Sequence, residues 1–201
     1  MSGVLPPGPA APADPIVDAV HDSAWSRLLA RLAPTDDRQS SFEERRYFPF
    51  RLTPVVLTGV VRVSPSHGLS LEYLKPDSQI VVMDDQGLLL RDRTGSPHPV
   101  PANAHAQAAT AALAAVLRFD MPRLTRSFEL RGRRTAEAWT LTLVPRDPSL
   151  ASELGTFTIA GAGSELRQID LVRAGNQRVE ILLGPATPAP FSPETLARYF
   201  R

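Results

Sequence analysis

The sequence predicts an α+β fold in which one long antiparallel sheet is met by only a few helices. Three observations carry this: about ten short segments rich in branched and aromatic residues, turn residues in the gaps between them, and two stretches with a helical repeat. A chain of 201 residues with 43% apolar side chains can bury one good core, and nothing in that length demands a second.

The elements follow in order. Residues 1–13 hold Pro6, Pro7, Pro9 and Pro12 without an apolar repeat, so a disordered arm is expected there, with residues 14–201 as a single domain. The segment up to Asp14 has neither a basic n-region nor an apolar h-region, so no signal peptide is expected in the sequence as given. The spacing predicts an N-terminal helix from Asp14, a capping residue before Pro15, through Ile16, Val20, Ala24 and Leu28 to a stop at Pro34. A second helix is expected from Asn103 to Leu117, with Ala109, Leu113, Val116 and Leu117 on one side. Alanine favours a helix but buries little area, so this one should pack closely and weakly.

Nearly everything else reads as strand: residues 42–50, 55–63, 69–74, 79–83, 88–91, 128–131, 139–144, 156–159, 166–173 and 177–183. Turns are expected at 84–87, 131–134, 161–164 and 174–176, with a Pro-rich surface connector at 94–102 and an extended run at 184–191 closing the domain. Val55, Leu57, Val61 and Val63 share one parity, as do Leu69, Leu71 and Tyr73, then Trp139, Leu141 and Leu143, then Val179, Ile181 and Leu183. The opposite parity carries Thr58, Arg62, Ser70, Glu72, Thr140, Thr142, Arg178 and Glu180 and is expected to be wet. Two helices are few for so long a sheet. Either it curls on itself or its inner face stays partly hollow.

Several functions lose support at this point. With 22 basic and 21 acidic residues the formal charge is +1, too little to collect nucleic acid. The chain has no cysteine, which removes disulfides, thiolate nucleophiles and cysteine metal sites. His21, His67, His98 and His105 lack the paired spacing of a zinc site, so no metal and no cofactor are expected. Gly161-Ala162-Gly163-Ser164 runs on into Glu165 and suits a hairpin better than a nucleophile elbow; Asp84 and Asp85 before Gly87 suit a turn. No catalytic residue is expected. The basic cluster Arg123, Arg126, Arg131, Arg133 and Arg134 reads as a solvated hairpin end, or else as a docking patch for an acidic partner or headgroup.

The order of the strands resembles one family. Gly59-Val60-Val61-Arg62-Val63-Ser64-Pro65, then Leu69-Ser70-Leu71-Glu72-Tyr73, then Pro76-Asp77 leading through Ile80-Val81-Val82-Met83 to Asp84-Asp85-Gln86-Gly87, is similar to the LolA succession. Phe42-Glu43-Glu44-Arg45 is similar to that family's first strand, and Trp139 to Pro145 and Leu166 to Leu171 fit its later ones. The resemblance implies an incomplete antiparallel barrel of about ten or eleven strands, with a helical lid over an apolar cavity. It also implies a monomeric periplasmic carrier of an acylated lipoprotein or amphiphilic lipid, served by an inner-membrane exporter and an outer-membrane acceptor. Distant relatives of the resembling family extend the alternatives to polyene or glycolipid products, and a non-lipid regulatory or scaffold module remains open. Parity and resemblance together place ligand contacts on Val55, Leu57, Val61, Leu69, Leu71, Tyr73, Trp139, Leu141, Val179 and Ile181, with Leu113, Val116 and Leu117 as lid. Where carriers of the best-known type have a lid-locking arginine before the strand-ending proline, this chain has Ser64.

Overall fold

A computed structural model describes residues 17–98, 104–148, 151–152, 155–173 and 177–201. The expected arm at 1–13, the Asp14 cap, the Asn103 cap and the turn at 174–176 lie outside the described residues.

The chain opens with β1 (Val17–Asp18) and α1 (Ser23–Leu32), then β2 (Arg38–Tyr47), β3 (Val55–Ser64), β4 (Gly68–Lys75), β5 (Gln79–Asp84), β6 (Gly87–Arg91) and β7 (Pro97–His98). Next come α2 (Ala104–Arg118), α3 (Met121–Ser127), β8 (Phe128–Arg134), β9 (Ala138–Pro145), β10 (Thr156–Ala162), β11 (Glu165–Arg173) and β12 (Gln177–Leu183). The C-terminal stretch adds β13 (Thr187–Pro188) and α4 (Pro193–Tyr199). All strands join one open 13-stranded antiparallel sheet in the order β1-β8-β9-β10-β11-β12-β2-β3-β4-β5-β6-β7, with β13 beside β2. The class agrees with the sequence; the strand count exceeds it because two-residue pairings at the edges carry no alternation to detect.

The sheet curls. Phe157 on β10 and Val81 on β5 are six strands apart in the order, about 29 Å in a flat sheet at 4.8 Å per strand, yet both line one cleft. The concave face is apolar and receives α1, α2 and α3. The register puts Leu143 opposite Phe157 and Phe157 opposite Leu171, then Leu171 opposite Val179. A row of apolar side chains thus crosses the inner face at one level.

Several expectations need correction. The turn expected at 131–134 is strand, the end of β8 paired with β9 from Arg131 opposite Thr142 to Arg134 opposite Trp139, and the strand expected at 42–50 ends at Tyr47. The N-terminal helix begins at Ser23, not Asp14: Asp22 caps it, accepting from the Ala24 and Trp25 amides at 2.9 Å. Val17 and Asp18 instead pair with Gly132 and Arg131, so an i, i+4 match at Val20 misled, and Val20 is exposed. The surface run at 94–102 starts with a strand pairing, Pro97 opposite Arg91. The opposite face is not uniformly wet either: Arg62, Ser70 and Glu72 are each under 9% exposed. They lie beneath α4, a helix not foreseen, whose Ser192 cap accepts from the Thr195 amide and is followed by Pro193. Arg62 bonds Glu72 at 2.9 Å, its guanidinium carbon sits 3.6 Å over the Tyr199 ring, and Tyr199 donates to Glu72 at 3.2 Å. Phe200 is fully buried, and its carbonyl accepts from Arg91 at 3.0 Å.

Candidate functional site

The inner face is filled at one end and hollow at the other. At the filled end Trp25 of α1 meets Trp139 edge-on at 6.4 Å, and Phe119 meets Trp139 at 6.5 Å. Gly132 leaves room for the Trp25 ring and Gly161 for the Trp139 ring; a Cβ at either would overlap the indole. The Trp139 indole N–H donates to the Gly163 carbonyl at 3.1 Å. At the hollow end a cleft of about 420 Å³ opens under α2, within the size range of small-molecule sites. Its apolar wall comes from Leu71, Val81 and Met83 on one side, Phe157, Ile169 and Leu171 on the other, with Val179 and Ile181 between and Leu113 of α2 above. A smaller cleft of about 270 Å³, reached by Leu32, Val61, Val63, Leu117 and Phe119, lies by the start of β2.

The larger cleft has a polar group on its floor. Glu44 is 5% exposed and accepts from Arg46 at 2.5 Å and from the Tyr73 hydroxyl at 2.7 Å. The cross-strand pairing Glu44–Leu57 and Ile181–Glu44 sets this carboxylate among apolar neighbours. Burial, then the adjacent Glu44 charge, pushes the Tyr73 phenol well above its usual range. Burial pulls the Arg46 guanidinium down, and its bond to Glu44, the Glu44 charge and Tyr73 together more than offset this. Arg46, Tyr47, Gln177 and Arg178 complete the cleft's polar lining. Such a site suits an amphiphile or an extended chain that offers both apolar and polar surface. Sequence reasoning missed Glu44 and Arg46, although Phe42, Glu44 and Arg46 share one parity and Phe42 marks it as inward.

The expected ligand contacts divide. Leu71, Tyr73, Val179, Ile181 and Leu113 line the larger cleft, and Val61 and Leu117 the smaller. Val55 and Leu57 are half-buried and reach neither lining. Leu69, Trp139, Leu141 and Val116 are each under 5% exposed and packed within the core. Ser64 is fully buried, and its hydroxyl bonds Ser66 and His67 within the β3–β4 turn rather than a carbonyl of α2. It shares the parity of Arg62, on the side covered by α4, so the arginine comparison finds no counterpart here.

Several of the residues weighed for chemistry have local partners. Asp84 accepts from the Gln86 amide at 2.8 Å, and Asp85 pairs with Arg123 at 2.7 Å. His21 pairs with Asp18 and His98 with Asp92, each at 2.9 Å. Within the basic cluster Arg131 pairs with Glu129 at 2.9 Å, and Arg134 lies 6.0 Å over the Trp25 ring. Among the described residues no helix is long and apolar enough to cross a membrane.

An open antiparallel half-barrel with helices across its concave, partly hollow face defines an α+β class built around an interior. The family model for outer membrane lipoprotein carrier protein LolA-like proteins matches residues 17–198. The chain belongs to that LolA-like family. Among solved structures it is similar to MucB, at 18% identity and a TM-score of 0.50 over 90% of this chain and 66% of that one. It is also similar to MucB in the Pseudomonas aeruginosa MucA/MucB complex, at 19% identity and 0.48 over 90% of this chain and 60% of that one. A LolA superfamily protein of Nitrosomonas europaea matches at 10% identity and 0.47 over 84% of this chain and 95% of that one. The chain thus spans about two thirds of the MucB chains it matches. No curated protein matches it.

Proposed function

We propose that the protein is a periplasmic carrier that shields the acyl chains of a lipoprotein or related amphiphilic lipid. In this reading an inner-membrane exporter delivers the ligand and an outer-membrane acceptor takes it. The observation that carries the reading is the cleft under α2, apolar on its walls and polar at Glu44 and Arg46. A sixteen-carbon chain costs roughly 12 kcal/mol to expose to water, at about 0.8 kcal/mol per methylene, so transit through an aqueous space requires such a shelter. Leu113 and Leu117, facing the two clefts from one helix, serve as the lid, and Leu71, Tyr73, Val179 and Ile181 hold the ligand.

A second reading, a regulatory module seating a protein segment, is favoured by Arg46, Gln177 and Arg178 in the cleft lining, which supply donors for backbone carbonyls. Titration with an environment-sensitive fatty-acid analogue separates the two. The carrier reading expects saturable fluorescence enhancement, recovery of the analogue chemically unchanged, and displacement by acylated peptide. No enhancement at saturating analogue, or displacement only by unacylated peptide, sinks it.

A further inference from the structure

The end of the β2–β3 hairpin carries the most exposed large apolar side chains among the described residues. The β2–β3 hairpin pairs as far as Arg46 opposite Val55, whereas β4 ends at Lys75 opposite Thr58. β3 therefore continues three residues past β4, about 10 Å at 3.3 Å per residue. On the other side β12 pairs along β2 to its last residue, Arg178 opposite Tyr47. The end of this hairpin, with the loop 48–54 that closes it, therefore projects past β4. At their apex Phe50 is 80% exposed and Leu52 fully exposed, and the Arg51 amide bonded to the Phe48 carbonyl at 3.0 Å gives the turn its shape. Phe48 stacks on Phe50 at 5.5 Å and also lines the larger cleft, so the tip is continuous with the wall of that cleft. Val56 and Leu74 behind it are about half-exposed.

Isolated exposed hydrophobes need no explanation, but a projecting cluster does. A stable protein interface takes about 20–30 residues from each partner, against the seven of residues 48–54. A bilayer asks only for a few apolar and aromatic side chains at its interface, helped by nearby cations. Those cations are present: among the described residues Arg51 and Lys75 are exposed and have no ion-pair partner, while Arg45, Arg46 and Arg178 are paired.

We propose that the β2–β3 tip is a membrane-docking element: Phe50 and Leu52 enter the interfacial layer of an anionic bilayer, Arg51 and Lys75 hold its phosphates, and the larger cleft is thereby set against the lipid surface. The coupling of docking to ligand transfer rests on the carrier reading; docking itself does not.

The experiment is flotation of the full chain with phosphatidylcholine vesicles, with and without phosphatidylglycerol. The native chain is expected to float with the anionic vesicles. F50S/L52S should lower the partition at least tenfold with an unchanged Tm, and R51Q/K75Q should abolish the preference for phosphatidylglycerol. A Phe50→Trp variant should blue-shift on vesicles and be quenched by brominated acyl chains, against the buried Trp25 and Trp139. A native chain that stays unbound on both vesicle types, a double variant that partitions like the native chain, or an unshifted Phe50→Trp emission overturns the proposal. The fatty-acid titration is read in parallel. Vesicle binding without analogue binding leaves the tip standing and removes the carrier; analogue binding without vesicle binding does the reverse.

Discussion

The two halves of the sheet face one interior and treat it in opposite ways. Around β8, β9 and β10 the space is closed by Trp25, Phe119, Phe128, Trp139 and Phe157 in edge contacts, with glycines on the strands where the indoles approach. From β11 through β5 Val, Ile, Leu and Met line a cleft of about 420 Å³ beside a Glu–Arg–Tyr group, with Phe157 shared between the two ends and the Phe42 ring set on Gly59 at its back. The difference teaches how one curled sheet is both anchored and hollow. Large rings set on small residues fill one end, so the other end need not be filled for the domain to fold.

Four perturbations break or sharpen this contrast, taken from the largest effect down. Trp139→Ala should destabilise the filled end by about 3–5 kcal/mol, read as a lower urea midpoint; a change under about 1 kcal/mol would mean that end is as loose as the other. Leu113→Asp, over the hollow end, should lower fatty-acid analogue affinity at least tenfold while moving the midpoint little. A variant that unfolds but binds normally in its soluble fraction would make Leu113 a core residue instead. Tyr199→Ala should cost about 1–2 kcal/mol through the lost ring contact and hydroxyl bond over Arg62 and Glu72, and leave analogue binding unchanged.

The smallest effect is a pH dependence. Because Tyr73 in the fold is held above its usual value, the unfolded chain ionises first as pH rises past about 10. Stability present below that pH is therefore lost as the solution becomes more alkaline. Tyr73→Phe should flatten this slope in urea titrations between pH 9 and 11, and a slope identical to that of the native chain would show that Tyr73 is not shielded by Glu44 and burial.

The site was legible in part. Period-two alternation put Leu71, Tyr73, Val179 and Ile181 on the inner face, and they do line the larger cleft. The same rule selected Leu69, Trp139 and Leu141, which are packed tight, because parity reports which way a side chain points and not whether anything fills the space before it. Glu44 and Arg46 escaped notice because charged residues were read as outward, yet each supplies the other's partner, and Tyr73 supplies a third. The α4 helix was missed although Ser192-Pro193-Glu194 carries a start signal, since its own residues show no buried stripe and its anchor, Phe200, lies just past its end.

The sequence by itself determined the class, the meander, the inward parity of the strands and the family, because each depends on local spacing and the order of short elements. Only the tertiary structure decided where the sheet is filled, which charged residues are buried, and that the far face carries a second covered patch. Those outcomes depend on contacts between residues remote in the chain: Trp25 over Gly132, Glu44 between Leu57 and Ile181, Tyr199 over Arg62. Periodicity along one strand says nothing about such contacts, because the curl that creates them is a property of the whole sheet.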